Sequence, residues 1–404
     1  MSAALFGVKT VEFGAYAAGP AISKYLANHG ATAIRVESGT RPDGFRTHYP
    51  PFKGNRPGLN RSGCFAMFND GKLSVTLNLK TPRGLELARR LATWADVAVE
   101  NFTPGTVKRL GLDYESLRAL NPDLIMLSTC NHGQTGPHAQ HPGFGSQLSS
   151  LAGFTHFTGQ PDGPPLILYG PYIDFVAVAF GLVAILAALD HRRRTGQGCY
   201  IDLSQHETGL QFLAPALLDA RVNGRAQGRQ GNRAPAAAPH GAFPCRGEDR
   251  WCTLSVWSDR EWERLVEVMG NPAWAKEARF SGLTGRKAQE AELEERISEW
   301  TRQFTPEELM ARLQTAGIRA GVVNGIPELF TDPQLSQRGL WWPVTHAEMG
   351  EYHAKAPPFV LSRTPAQPGG PAPCLGEHNE MVLRDILGLS DDEIRELKAQ
   401  GVVA

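Results

Sequence analysis

One carboxylate stands apart from every other charged group in this chain. Asp174 is followed by Phe175 to Leu189, a run without charge, which closes on Arg192, Arg193 and Arg194. The pattern predicts a buried helix, apolar on all faces, with an acid at its start and cations at its end, as the helix dipole favours. A carboxylate so placed can cap the first turn. It can also attack an electrophilic carbonyl once it is ionised, desolvated and held close. Spacing alone leaves both roles open, and capping is the simpler one.

Other residues suggest rival chemistries. Cys199 and the 12 histidines could supply a thiol nucleophile and its base, but the histidines include no i,i+4 metal pair. His138 and His141, three apart in a Gly/Pro-rich loop, read as a solvated turn, and no Gly-x-Ser-x-Gly elbow is present. Gly14 and Gly19 are five apart, which departs from the dinucleotide fingerprint, although Glu37 sits where such folds keep a ribose-binding acid. A nicotinamide oxidoreductase therefore stays as an alternative.

The elements that must position these groups alternate. Val8 to Phe13 reads as a strand, residues 21–29 as a helix ended by Gly30, and Ile34 to Glu37 as a second strand. The alternation recurs through Leu73–Leu79, Pro82–Trp94, Val97–Glu100, Tyr114–Leu120, Leu124–Ser128 and Tyr200–Leu203. Strand–helix–strand repetition predicts a parallel sheet. Near residue 222 the composition shifts to Gly, Ala, Pro and Arg, then short strands and amphipathic helices follow to about 323.

Bulk properties narrow the class. The 404 residues allow two domains, and 42% hydrophobic content supports a large core. Lys+Arg 41 against Asp+Glu 41 gives no overall pull toward nucleic acid or anionic membrane. The six scattered cysteines lack C-x-x-C spacing, which predicts a reduced, cytoplasmic protein without a metal site. The apolar run 175–189 reads as too short for a bilayer, and the first residues lack the features of a secretion signal.

Several strings in order resemble the class III CoA-transferase family, which includes formyl-CoA, carnitine-type and benzylsuccinate CoA-transferases, with α-methylacyl-CoA racemase as a side branch. They are Val11–Pro20, Leu26–Glu37, Phe68–Lys80, Val99–Gly111 and Leu127–Pro137. Asp174 with its helix, Thr195–Gly198, Arg229–Asn232 and Leu375–Glu380 follow. The resemblance implies that Asp174 is the nucleophile, passing through an aspartyl anhydride and an aspartyl-CoA thioester. It implies a CoA or acyl-CoA substrate and no permanently bound cofactor. CoA contacts would fall to Lys72, Asn101, Phe102, Lys108 and Arg109, with Tyr16, Ala17 and Ala18 in the loop near the thioester and His132 near the acyl group. The expected reaction moves CoA to a free carboxylic acid, a dicarboxylic or aromatic one, with succinyl-CoA as donor.

The departures are informative. Phe144 and Pro244 stand where the racemase branch needs a His and a Glu, so proton exchange lacks its titratable groups and a transferase is expected. Ala234–Ala238 replaces the glycine-rich loop of the formyl-CoA enzyme, Ala17 replaces its Gln, and Ser38 replaces a basic residue common in the family. The expected architecture is a large Rossmann-like α/β domain with an inserted smaller α+β domain, forming an interlocked dimer with itself or a related chain. Its expected parts are 1–203 (CoA-binding), a linker 204–224, the small domain 225–325, a linker 326–370, and 371–404 returning to the large domain.

Overall fold

The computed structural model describes residues 3–404 and divides into two compact units. The larger comprises 3–154, 167–225 and 333–404, and the smaller 155–166 and 226–332.

In the larger unit six strands form one parallel sheet: β1 (Lys9–Phe13), β2 (Thr32–Glu37), β3 (Leu73–Thr76), β4 (Val97–Glu100), β5 (Ile125–Cys130) and β6 (Cys199–Ser204). Their spatial order is β3-β2-β1-β4-β5-β6. Val97, Val99, Ile125 and Leu127 turn one face of the sheet toward α1 (Ala18–Asn28) and α2 (Tyr172–Thr195). Val11, Phe13, Ile34, Val36 and Val75 join Leu87 and Leu91 of Pro82–Trp94, and Ile394 and Leu397 of Asp391–Ala399, on the other. With both faces covered, the polar residues that alternate with these apolar ones are buried too, among them Thr10, Glu12, Arg35 and Ser74. The chain returns at Asn379, whose side chain accepts from the Thr76 N–H at 2.7 Å and so fastens the C-terminal segment beside β3.

Between 204 and 224, where a linker was expected, lie the helices Gln205–Gln211 and Ala214–Asn223. Ser204 caps the first by accepting from the Glu207 N–H at 3.2 Å, and Pro215 lies in the opening turn of the second. Both are ordinary start signals, overlooked because the segment follows a strand without a loop. The second expected linker carries an antiparallel hairpin, Trp341–His346 with Gly350–Lys355.

The helix α2 also differs from expectation. It runs for 24 residues, long and apolar enough by length and composition to cross a membrane. One side packs on α1 and on β5 and β6, but Phe175, Val183 and Leu186 face outward, Val183 at 67% exposure. It is therefore not buried on all sides.

The smaller unit is a three-stranded antiparallel sheet of His240–Pro244, Trp251–Ser255 and Arg319–Val322, with its own core of Phe243, Leu254, Trp262, Leu293, Ile297 and Leu309. Pro244, read above as a racemase position, ends its first strand.

Candidate active site

The sheet order reverses direction between β1 and β4, and a crevice opens where strand ends diverge at such a point. A cavity of about 340 Å³ lies there. Tyr16 to Ala18 line it from the loop after β1, Asn101 to Pro104 from the loop after β4, and Thr129 to Asn131 from the end of β5. Loop residues 139–145, Gln205 and Asp174 complete the lining.

Buried charges fix the first loop. Arg35 is fully enclosed and pairs with Glu12, Glu37 and Asp43, while one of its nitrogens donates to the Gly14 carbonyl at 3.2 Å. Asp43 in turn accepts from the Tyr16 N–H at 3.0 Å. Together these hold Tyr16 at φ 65°, a left-handed conformation that a tyrosine adopts only when its surroundings impose it. The Tyr16 ring then meets Phe45, Tyr49 and Phe144 edge-on at 5.3, 6.1 and 5.7 Å.

Asn101 reaches across from the other loop. Its side-chain oxygen accepts from the Ala15 N–H at 3.0 Å and its amide donates to the Ala15 carbonyl at 2.7 Å. A Cβ on Gly14 would lie 2.0 Å from that oxygen, and one on Gly19 would lie 3.1 Å from its carbon. The two glycines thus make room for Asn101 rather than for a pyrophosphate. Glu37, the other dinucleotide signal, is buried against Arg46 at 2.9 Å and has no free edge for a ribose. The nicotinamide alternative loses both of its supports.

Asp174 lies in the first turn of α2 but does not cap it. Pro171 is the capping residue, no side chain bonds there, and the Asp174 carboxylate has no hydrogen-bond partner among the described residues. A helix N-terminus would by itself depress the pKa of an acid placed there. Burial pushes that of Asp174 up to about 7. A dipole contributes only about 0.3–1 kcal/mol, less than the cost of taking a carboxylate out of water with nothing bonded to it. Gly145 permits the close packing, since a Cβ there would come within 2.8 Å of the carboxylate oxygen. Glu100, at the end of β4, behaves alike: burial raises it to about 7, and one of its oxygens has no partner.

The other expected contact residues divide. Tyr16, Ala17, Ala18, Asn101 and Phe102 line the cavity, although both ends of the Asn101 amide are occupied by Ala15. Lys72 does not fit the expected phosphate role. Its ammonium is buried and donates to Glu12 at 2.6 Å, to the Pro20 carbonyl at 2.7 Å and to Asn69 at 2.9 Å, which uses all three of its protons. Lys108 and Arg109 sit exposed on the short helix Thr106–Leu110, outside the lining. His132 also lies outside it, beside the ring of His206 at 5.2 Å. Phe144 does line the cavity, so a phenyl ring faces the space where the racemase branch would need an imidazole. Sequence reasoning missed Thr129, Gln140, His141 and Gln205 as lining residues. The rule that ligands collect beyond the carboxyl ends of parallel strands would have flagged Thr129 and Gln205, which close or follow β5 and β6.

Comparison with known proteins agrees with this geometry. Residues 5–379 match the model of CoA-transferase family III. The chain is 33% identical to the succinyl-CoA–D-citramalate CoA-transferase of Chloroflexus aurantiacus over 98% of its length and 97% of that protein. It is 35% identical to the succinate–glutarate CoA-transferase of Agrobacterium fabrum, covering 95% of each. A crystal structure of a CAIB/BAIF family protein from Brucella suis superposes with a TM-score of 0.88 at 32% identity, covering 96% of this chain and 100% of that one. An α/β chain with an apolar, cation-poor cavity at the switch point and a bare carboxylate in its wall is a CoA-transferase and belongs to CoA-transferase family III.

Proposed function

We propose that the protein moves CoA from succinyl-CoA to a free dicarboxylic acid, with Asp174 as the covalent nucleophile. The carrying observation is the Asp174 carboxylate, unbonded in the cavity wall and raised to about 7 by burial. A desolvated carboxylate is a far better nucleophile than a hydrated one. One Asp174 oxygen adds to the thioester carbonyl, the C–S bond breaks, and CoA leaves as thiolate, giving a mixed anhydride. The thiolate then adds to the aspartyl carbonyl, and the donor acid departs as carboxylate. The acceptor carboxylate repeats both steps in reverse, so no net proton, redox equivalent or metal is consumed.

Succinyl-CoA is named as donor because one relative carries it in its name and another carries succinate; their second acids, citramalate and glutarate, are also dicarboxylates. Tyr16, Ala17, Ala18 and Phe102 would border the pantetheine arm, and the exposed Lys108 and Arg109 would meet phosphates.

The partner is most simply a second copy of this chain. Apolar residues are exposed on the outward side of α2 and, on the helix Ala214–Asn223, at Leu217, Leu218 and Val222, which is surface that a second copy would cover. The smaller unit is read as an insertion into the larger, and the dimer as interlocked.

The test is chemical trapping. Incubation with succinyl-CoA and hydroxylamine should convert Asp174 to its hydroxamate, read by peptide mass spectrometry, and Asp174→Ala should lower transfer by roughly a thousandfold or more. Unmodified Asp174 alongside normal turnover would refute the mechanism.

A further inference from the structure

The cavity presents a difficulty for the acid it is proposed to hold. A dicarboxylate reacting at one end carries a second negative charge at the other, and among the described residues no Lys or Arg lines the cavity. Burying that charge without a partner would be prohibitive. The only lining residue able to carry positive charge is His141. It belongs to a cluster. The His132 ring lies 6.2 Å from that of His141, 5.2 Å from that of His206 and 6.3 Å from that of His138, and the His138 and His141 rings are 4.5 Å apart. Two of these residues directly follow cavity residues, His132 after Asn131 and His206 after Gln205. The His206 N–H donates to the Asn131 carbonyl at 2.9 Å, which joins the two corners through the main chain.

Four imidazoles so close require a reason. No group of three or more His, Cys, Asp or Glu among the described residues is arranged to hold a metal ion. No carboxylate is bonded to any ring of the cluster among the described residues. Burial, and then His206, His141 and His138 in turn, lower the pKa of His132. A proton on His132 is thus disfavoured by its neighbours, and an anion placed among the rings would offset that.

We propose that the His132–His141–His206 cluster, backed by His138, is the recognition site for the distal carboxylate of a dicarboxylic acyl group. The proposal rests on the transfer reading given above and adds to it the residues that select the substrate. Imidazole N–H groups donate to the carboxylate whether neutral or charged, and the bond is strengthened when one ring is protonated. A monocarboxylic acid of the same length would leave these donors unpaired, which is how a polar site rejects an analogue that lacks its partner group.

The experiment compares glutarate with pentanoate, an acid of equal length lacking the second carboxylate. Acetyl-CoA is the donor, so that the first half-reaction makes no demand on the cluster. The unmodified enzyme should favour glutarate in kcat/KM. His132→Phe and His206→Phe should lower the glutarate value about 10- to 100-fold more than the pentanoate value, chiefly through KM. His141→Gln, which keeps a donor, should lose less than His141→Phe. Equal losses for both acids, or a glutarate preference that survives all three Phe variants, would overturn the proposal. Hydroxamate formation at Asp174 from succinyl-CoA in the unmodified enzyme reads the covalent mechanism separately. Its absence would sink the transfer mechanism, whereas the acid ratio speaks to the cluster alone.

Discussion

Asp174 and its surroundings set the pH behaviour. An aspartate in an unfolded chain titrates near 3.9, whereas burial raises this one to about 7. Only the ionised form attacks, so kcat/KM should rise with pH through about 7 and fall off on the acid side. The stability linkage runs the other way. The folded state holds the proton more tightly, so this group's contribution to folding is lost progressively as pH climbs from the unfolded value to about 7. Glu100 titrates in the same range, and Glu100→Gln is the control: the acid limb of kcat/KM, followed at saturating and limiting acyl-CoA, should persist in that variant. A limb that vanishes with Glu100 would transfer the assignment to it. The importance of Asp174 was legible in the sequence as a lone acid ahead of an uncharged run. The sign of its shift was not, because a helix dipole can be seen in a pattern of residues while the absence of a bonding partner is visible only in three dimensions.

Among the elements, the sheet was read well. The strand-helix alternation of the first two hundred residues carries its own signals, and β1, β2, β4, β5 and β6 lie within a residue or two of where apolar runs and glycines place them. What escaped were contacts across elements. Lys72 was expected to contact CoA because the family resemblance places it in the CoA-contacting stretch. In the fold it is enclosed by Glu12, Asn69 and Pro20, and burial lowers its pKa to about 8. Lys72→Met, close in shape, should therefore cost about 3–5 kcal/mol of stability, the usual consequence of removing one partner of a buried pair. Urea denaturation measures the loss. A variant of normal stability with weakened CoA affinity would instead restore Lys72 to the ligand. The histidines show the same limit: His132 and His206 are 74 positions apart in the sequence, yet their rings are neighbours because β5 and β6 pair side by side and both loops leave the same end of the sheet.

For the whole molecule, the outward side of α2 is the informative surface. A run that is apolar all round suggests burial all round, and the sequence does not say whether the same chain provides the cover. Here it covers only one side. If a second copy supplies the rest, Val183→Asp combined with Leu186→Asp should halve the mass observed by analytical ultracentrifugation and lower activity along with it. An unmodified enzyme sedimenting as a single chain would remove the argument. The composition changes near residue 222, close to where the main segment of the smaller unit begins at 226, while its segment 155–166 and the helices at 205–223 carry no such signal.

Asn101 has a last consequence, for inheritance rather than for chemistry. Its amide spans the gap left by two missing side chains, at Gly14 and Gly19, and grips the main chain of Ala15 from both sides. The three positions are tied: a methyl group at Gly14 expels the amide, one at Gly19 presses on it closely enough to make it shift, and any shorter or longer residue at 101 leaves the strand-end loops unfastened. Descendants of this chain must keep the trio or exchange all of it at once.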